Sequence, residues 1–145
     1  MHYLELLETK TLEALREPLA NMGVTRVEPW GGQLRDPDEP PATLPQLPIV
    51  WVWGDSLDTA FNNTTLRLDL NLNIMVAAAA TGSDAQTPGA YAIMEAINTI
   101  LRVLPISPGL GPMQLVKTKC HLRDSERGLA AYLVTYNLKL ITKDF

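Results

Sequence analysis

The residues of this chain that could do chemistry are concentrated in one short segment, VKTKCHLRD, which runs from Val116 to Asp124. Every second residue in it is basic or can become so, namely Lys117, Lys119, His121 and Arg123. Side chains alternate between the two faces of a strand, so this spacing predicts a row of cations about 20 Å long. Such a row can contact an acidic surface or phosphate groups, and it also fits the ordinary solvated face of a sheet.

Motifs for catalysis or metal binding do not occur around this segment. The two histidines, His2 and His121, form no HxH or HExxH pattern, and Cys120 is the single cysteine. We expect Cys120 on the buried face, where a thiol makes a poor nucleophile. The carboxylates of Asp36, Asp38 and Glu39 lie between prolines and are typical of a solvated loop. We therefore predict no catalytic residue, no metal site and no cofactor.

Composition limits the class of protein. The chain has 145 residues, of which 46% are apolar and 19% charged, as expected for one globular domain spanning 1–145. A formal net charge of −4 argues against general nucleic-acid binding. The N-terminal residues lack a secretion signal, and the longest apolar run is far shorter than the roughly 20 residues of a membrane helix. We expect synthesis in the cytoplasm and no membrane contact.

Two segments carry the apolar spacing of amphipathic helices. The first covers about residues 3–22, where Pro18 is expected to kink or interrupt the last turn and Gly23 to end the helix. The second begins near Thr87, a predicted N-cap followed by Pro88, and ends before Pro105. Its predicted apolar stripe consists of Tyr91, Met94, Ile97, Leu101 and Leu104.

Several other segments favour strands. A short strand is expected at 24–27 and another at 49–53, followed by a polar loop over 54–63. The clearest alternation of apolar and polar residues begins at Leu66 and continues past Ile74. Residues 28–48 are rich in proline and predict a surface excursion between strands.

Two final strands, about 113–124 and 130–142, are expected to form a hairpin. A loop of Glu126, Arg127 and Gly128 would place Gly128 in the left-handed conformation. This register sets Lys119 beside Thr135 and Lys117 beside Asn137. It also sets Cys120 and Leu122 on the face of Tyr132 and Val134.

The order of these elements predicts an α+β fold: a single antiparallel sheet of about four to five strands, with two helices packed on one face and a long Pro-rich loop. Arg67 and Lys139 would extend the basic row across the polar face of the sheet. Trp51 and Trp53 share one face of their strand and could be core residues or a partner-binding patch.

Three stretches carry a resemblance to a known family: PIVWVWG at 48–54, GAYAIMEAINTILRVL at 89–104, and 129–143. Together with the element order, they resemble the tail terminator proteins of long-tailed phages, most closely those of Mu-like contractile phages and prophages. The resemblance spans most of the chain and is weakest over 28–48.

The resemblance implies a structural virion protein rather than an enzyme. Terminators form a ring, typically of six subunits, at the head-proximal end of the tail tube. They stop tube and sheath growth and present a joint to the neck or connector, and DNA passes through the ring without specific binding. By this resemblance the chain would assemble in the host cytoplasm and reside in the virion tail. Its assembly or lumen-facing residues would be Lys117, Lys119, His121, Arg123, Lys139 and Arg67.

Two alternatives remain open at the level of sequence. One is another phage neck, tube-initiating or baseplate component of similar fold. The other is a small ligand-binding or regulatory α+β domain, which would need a concave apolar pocket with a few converging polar groups.

Overall fold

The computed structural model describes residues 2–30, 48–62, 65–79, 89–105, 112–124 and 128–142. Its elements are α1 (Tyr3–Asn21), β1 (Arg26–Pro29), β2 (Ile49–Asn62), β3 (Thr65–Ala79), α2 (Ala90–Leu101), β4 (Gln114–Asp124) and β5 (Leu129–Thr142). The strands form one sheet in the order β1-β2-β3-β5-β4. The α+β class predicted from the sequence is confirmed. Most of the Pro-rich stretch 28–48 lies outside the described residues.

The sheet is antiparallel except at one edge. The pairs β2–β3, β3–β5 and β4–β5 are antiparallel, whereas β1 pairs in parallel with the first four residues of β2. The sheet is therefore mixed rather than purely antiparallel. The parallel pair is possible because β1 and β2 are separated by a long connection instead of a tight turn.

Helix α1 has the predicted extent but not the predicted interruption. His2 caps its start, where the backbone N–H of Leu4 donates to His2 Nδ1 at 3.1 Å. The helix continues through Pro18 to Asn21. Gly23 follows at a φ of 95°, and its N–H donates to the carbonyl of Ala20. Pro18 has no N–H to donate to the carbonyl of Ala14, so the helix continues to Asn21 with one hydrogen bond fewer.

Helix α2 begins at Ala90 with Gly89 as its N-cap. The predicted cap Thr87 and first residue Pro88 lie outside the described residues. Ile97 and Leu101 are buried as predicted, and so is Ile93, which was not part of the predicted stripe. Tyr91 was expected in that buried stripe, but it is 60% exposed and contacts strand β5 through its ring and hydroxyl.

Strand β2 is much longer than the sequence indicated. Gly54 was expected to end it, and 54–63 to be a loop, yet the strand continues to Asn62 through a bulge at Asp55. The bulge moves the ladder from Gly54–Leu72 to Ser56–Asn71. Polar residues are accommodated there because β3 supplies a full-length hydrogen-bonding partner.

Both helices pack on the same side of the sheet, which we call the covered face. Its core combines the apolar stripes of α1 and α2 with alternate residues of the central strands. The largest side chains buried there are Leu7, Leu15, Leu19, Leu70, Leu72, Ile74, Ile93, Ile97, Leu101 and Tyr136. None of the described helices has the length and apolar content needed to cross a membrane.

Helix α1 approaches the sheet most closely at Gly54. A Cβ added at Gly54 would lie only 3.1–3.3 Å from atoms of Leu4. The backbone N–H of Gly54 donates to the carboxylate of Glu8 at 3.2 Å. This contact fixes the first turns of α1 over β2 and brings a carboxylate to that side of the sheet.

Candidate assembly surface

The sheet face opposite the helices, which we call the open face, carries a polar network across β2, β3 and β5. Alternation in β3 places Asp69, Asn71 and Asn73 on this face. Thr135 donates through Oγ1 to Asn73 Oδ1 at 2.8 Å, and Asn71 donates through Nδ2 to Ser56 Oγ at 2.9 Å. Cross-strand bonds of this kind fix the side chains in place.

Asn137 is the centre of that network. Its amide nitrogen donates to the carboxylate of Asp69, to Asn71 Oδ1 at 3.0 Å and to the carbonyl of Leu70 at 3.3 Å. One side chain on β5 therefore holds three acceptors of β3. The open face is consequently an ordered polar surface.

Four of the predicted cationic side chains lie on this open face. Lys117 pairs with Thr135, Lys119 with Leu133 and Lys139 with Asp69, and Arg67 shares the face of Asp69. All four cations are exposed. Their placement on one polar face was predicted, whereas their role in assembly stays a prediction.

Arg123 does not continue that row. Two bulges in β4 shift the ladder between Leu115 and Lys117 and again between Cys120 and Leu122. Each bulge places one extra residue in β4. Beyond the second bulge, Arg123 pairs with Ala130, whose side chain lies on the covered face. The prediction of four basic side chains on one face is therefore wrong at Arg123, because strict alternation fails at a bulge.

His121 is the extra residue of the second bulge. Its neighbours Cys120 and Leu122 pair with Tyr132 and Ala131, which leaves His121 opposite no residue of β5. The atom His121 Nε2 is buried and has no hydrogen-bond partner among the described residues. His121 is thus half-buried at an irregularity of the edge strand and is not an exposed member of a row.

The hairpin register also differs from the prediction, already at the pair next to the turn and then again at each bulge. Gly128 has the expected left-handed φ of 65°. Asp124 pairs with Leu129, however, and the bulges then set Lys117 rather than Lys119 opposite Thr135. Leu122 packs on the open face, and Cys120 is exposed although it pairs with Tyr132.

Arg123 joins a small cluster with two tyrosines where the covered face meets β4. Arg123 Nη1 donates to the hydroxyl of Tyr132 at 3.3 Å, and the hydroxyls of Tyr132 and Tyr91 are 3.0 Å apart. The hydrogen bond from Tyr132, helped by Arg123, lowers the pKa of Tyr91. The same bond to Tyr91 raises the pKa of Tyr132.

The two tryptophans predicted as core or partner patch have different environments. Trp51 is 2% exposed and donates through Nε1 to Glu28 at 3.3 Å, so it is a core residue and no exposed patch. Trp53 is half-buried, and its ring centroid lies 5.3 Å from that of Trp30. Around them a second apolar cluster occupies one end of the open face, with Ile49, Met75, Ala77 and Ala131 buried. The alternation of Ile49, Trp51 and Trp53 was the sequence signal for this cluster.

Among the described residues, the open face forms a shallow depression of about 380 Å³. It is lined by Asp55, Asn71, Asn73, Val116, Lys117, Lys119, Leu133 and Thr135. A second depression, of about 110 Å³, is lined by Pro112, Gln114, Asn137 and Lys139. Most of the residues that line the two depressions are polar or charged. A small-ligand domain would need a concave apolar pocket with a few converging polar groups.

Comparisons with known proteins give a likeness of fold. No family model matches this chain, and no curated protein matches it. A solved structure described as the virion of a native gene transfer agent (GTA) particle contains a chain of similar fold, with a TM-score of 0.65. The match has 17% sequence identity and covers 98% of this chain and 100% of that chain.

Proposed function

We propose that this chain is a structural virion protein, namely a tail terminator subunit that forms a ring at the head-proximal end of a phage tail tube. In this role it stops the growth of the tube and sheath and provides the joint to the neck. The observation that carries the proposal is the end-to-end fold likeness to a chain of a GTA virion. Because both chains are covered almost completely, the likeness concerns the whole protein instead of one inserted motif.

The finer role, tail termination, is supported by the order of the elements and by the three stretches that resemble terminators. The structure adds a sheet with one face left open, on which side chains are ordered by hydrogen bonds and cations are exposed. Such a face suits repeated contacts between proteins better than catalysis. We therefore propose an assembly role without enzymatic activity or cofactor.

In the proposal, Lys117, Lys119, Lys139 and Arg67 contact an acidic surface of a neighbouring protein. A single exposed ion pair contributes less than about 1 kcal/mol. Repetition around a ring multiplies such weak contacts through avidity. Contact with the DNA path is the weaker possibility, because DNA must slide through the ring and tight phosphate binding would retard it.

The test is the mass of the purified protein by light scattering over a wide concentration range, with negative-stain images of the same samples. A closed ring of about six subunits, alone or on added tail tubes, is the expected result. Labelled protein should be found at the head-proximal end of tails. A protein that stays monomeric and does not bind tails would contradict the proposal.

Position on the particle also tests the alternative within the same class. The solved structure is described as a whole virion, a description that fits a neck or baseplate component as well as a terminator. Label at the baseplate or within the neck would favour that alternative and would exclude termination of the tube.

A further inference from the structure

Strand β4 is an edge strand of the sheet, and no strand in the described part of the chain pairs with its outer side. The helices pack on β2, β3 and β5, so β4 lies outside the layer that they cover. All residues from Gln114 to Cys120 are exposed, including the apolar side chains of Leu115 (47%) and Val116 (61%). A strand that is exposed on both faces and along its edge is available for contact with another molecule.

The opposite side of the sheet has a second open edge in β2. Strand β1 pairs only with residues Ile49–Val52. From Trp53 to Ala60, no strand within the described ranges pairs with β2 on the side away from β3. The helix α1 reaches this edge at Gly54 through Glu8.

The two edges carry opposite charge. Strand β4 contains Lys117, Lys119 and Arg123 against a single acidic residue, Asp124. Strand β2 contains Asp55 and Asp58, both exposed, and no basic residue. Glu8, held at Gly54, adds a third carboxylate to the β2 side. The molecule is thus basic along one edge of its sheet and acidic along the other.

Charge also disfavours contact between two copies of the same edge. Antiparallel pairing of two β4 strands about Thr118 would set Lys117 of one copy opposite Lys119 of the other, and like charges directly opposite are destabilising. The two bulges of β4 further interrupt any regular ladder along this edge. A symmetric β4–β4 dimer is therefore unfavourable.

We infer that the basic β4 edge of one copy contacts the acidic β2 edge of the next copy. The contact is made by side chains, with Lys117 and Lys119 facing Asp55 and Asp58. Because the two surfaces are different, the interface is head-to-tail, and such interfaces close into rings or extend into filaments. The inference rests on the proposed function, in which copies of this chain form a ring.

A charge-swap experiment tests the interface. One variant carries Lys117→Glu and Lys119→Glu, and the other carries Asp55→Lys and Asp58→Lys. In a head-to-tail ring each variant alone places like charges at every interface. An equimolar mixture restores opposite charges at every junction if the two variants alternate. Arg102→Glu and Glu95→Lys, which are exposed near and on α2, are the matched controls.

The readout is the protein concentration at half-assembly, with and without tail tubes. We expect each variant alone to need about tenfold more protein or worse, and the mixture to return to near wild-type values. The controls should behave as wild type. Circular dichroism melting of each variant checks that the fold is intact.

Three outcomes would overturn the inference. Normal assembly of both charge-reversed variants would show that other surfaces meet, and the proposed function would survive. Failure of the mixture to recover, with both variants folded, would show that these two edges do not contact each other. A wild-type protein that assembles neither alone nor on tails would overturn the interface and the proposed function together.

Discussion

The covered and open faces of the sheet belong to the same strands but are stabilised in different ways. Along β3, the residues on the covered side are apolar from Leu68 through Ala78 and are buried under two helices. On the open side the same strand carries Asp69, Asn71 and Asn73, which are held by hydrogen bonds to β5 and β2. One face is therefore fixed by burial of apolar surface and the other by polar pairing.

The open face itself changes character along its length. Trp51, Met75, Ala77 and Ala131 are buried at the end near β1, whereas Lys139 and Arg67 are exposed towards the other end, and Lys117 and Lys119 are exposed on the edge strand β4. Buried and exposed regions therefore occur side by side on the open face, in addition to the difference between the two faces. In the proposed function, an assembly partner contacts the polar and charged part of this face, while the tryptophan cluster contributes to stability.

The largest loss of stability is expected from a substitution on the covered face. Leu70→Ala should lower the free energy of unfolding by about 2–5 kcal/mol, because the side chain is fully buried and its removal leaves a cavity. Urea denaturation measures the loss. Leu115→Ala, at a side chain 47% exposed on β4, is the control and should cost far less. Equal losses at the two positions would contradict the assignment of the core.

A smaller loss of stability is expected from a substitution on the open face. Asn137→Ala removes the donor to Asp69, Asn71 and the carbonyl of Leu70, and should cost about 1–3 kcal/mol because polar groups lose their partner. Lys139→Ala, at an exposed residue of the same strand, is the control and should cost less. If both substitutions leave the urea midpoint unchanged, the polar network does not stabilise the sheet.

The covered face should also respond to alkaline pH. Burial raises the pKa of Tyr136 to about 12, whereas a tyrosine in the unfolded chain ionises near its ordinary value of 10.0. The contribution of protonated Tyr136 to the free energy of unfolding is complete below pH 10 and is lost as the pH rises towards 12. The reason is that the tyrosine releases its proton at a lower pH in the unfolded state than in the folded state. Stability measured between about pH 9 and 11.5 should fall less steeply in Tyr136→Phe. If stability falls equally steeply with pH in the wild type and in Tyr136→Phe, burial does not raise the pKa of Tyr136.

The smallest effect on stability is expected at the basic edge. Lys117→Glu combined with Lys119→Glu should change the unfolding free energy by no more than about 0.5 kcal/mol, since both side chains are exposed. The same substitutions should impair ring assembly and the yield of infectious particles. A variant that is strongly destabilised would mean that these lysines belong to the fold, and unchanged particle yield would mean that they have no role in assembly.

Sequence periodicity predicted much of this fold. The spacing of leucines predicted α1 and α2, and alternation predicted β3, β4 and β5 close to their observed limits. These predictions succeed because one-sided burial imposes a period of about 3.6 on a helix and of 2 on a strand. The glycines at positions 23 and 128 were also interpreted correctly, since both have positive φ.

Some of the failed predictions share one cause. Strand β2 passes Gly54 through a β-bulge, and bulges in β4 turn Arg123 away from the basic row and add to the shift of the hairpin register. A bulge forms where a partner strand supplies the ladder and an extra residue must be accommodated, so its position is fixed by pairing between distant segments.

The sequence by itself thus determined which segments become helices and strands and which side of each is apolar, because those properties depend on local periodicity. Only the tertiary structure decided that Lys117 and Lys119 share the open face while Arg123 turns to Tyr132, and that Trp51 is buried. It also placed a basic strand, β4, at one edge of the sheet and the acidic part of β2, beyond its pairing with β1, towards the other. Strand order and register result from contacts between segments far apart in the chain, which no local pattern encodes.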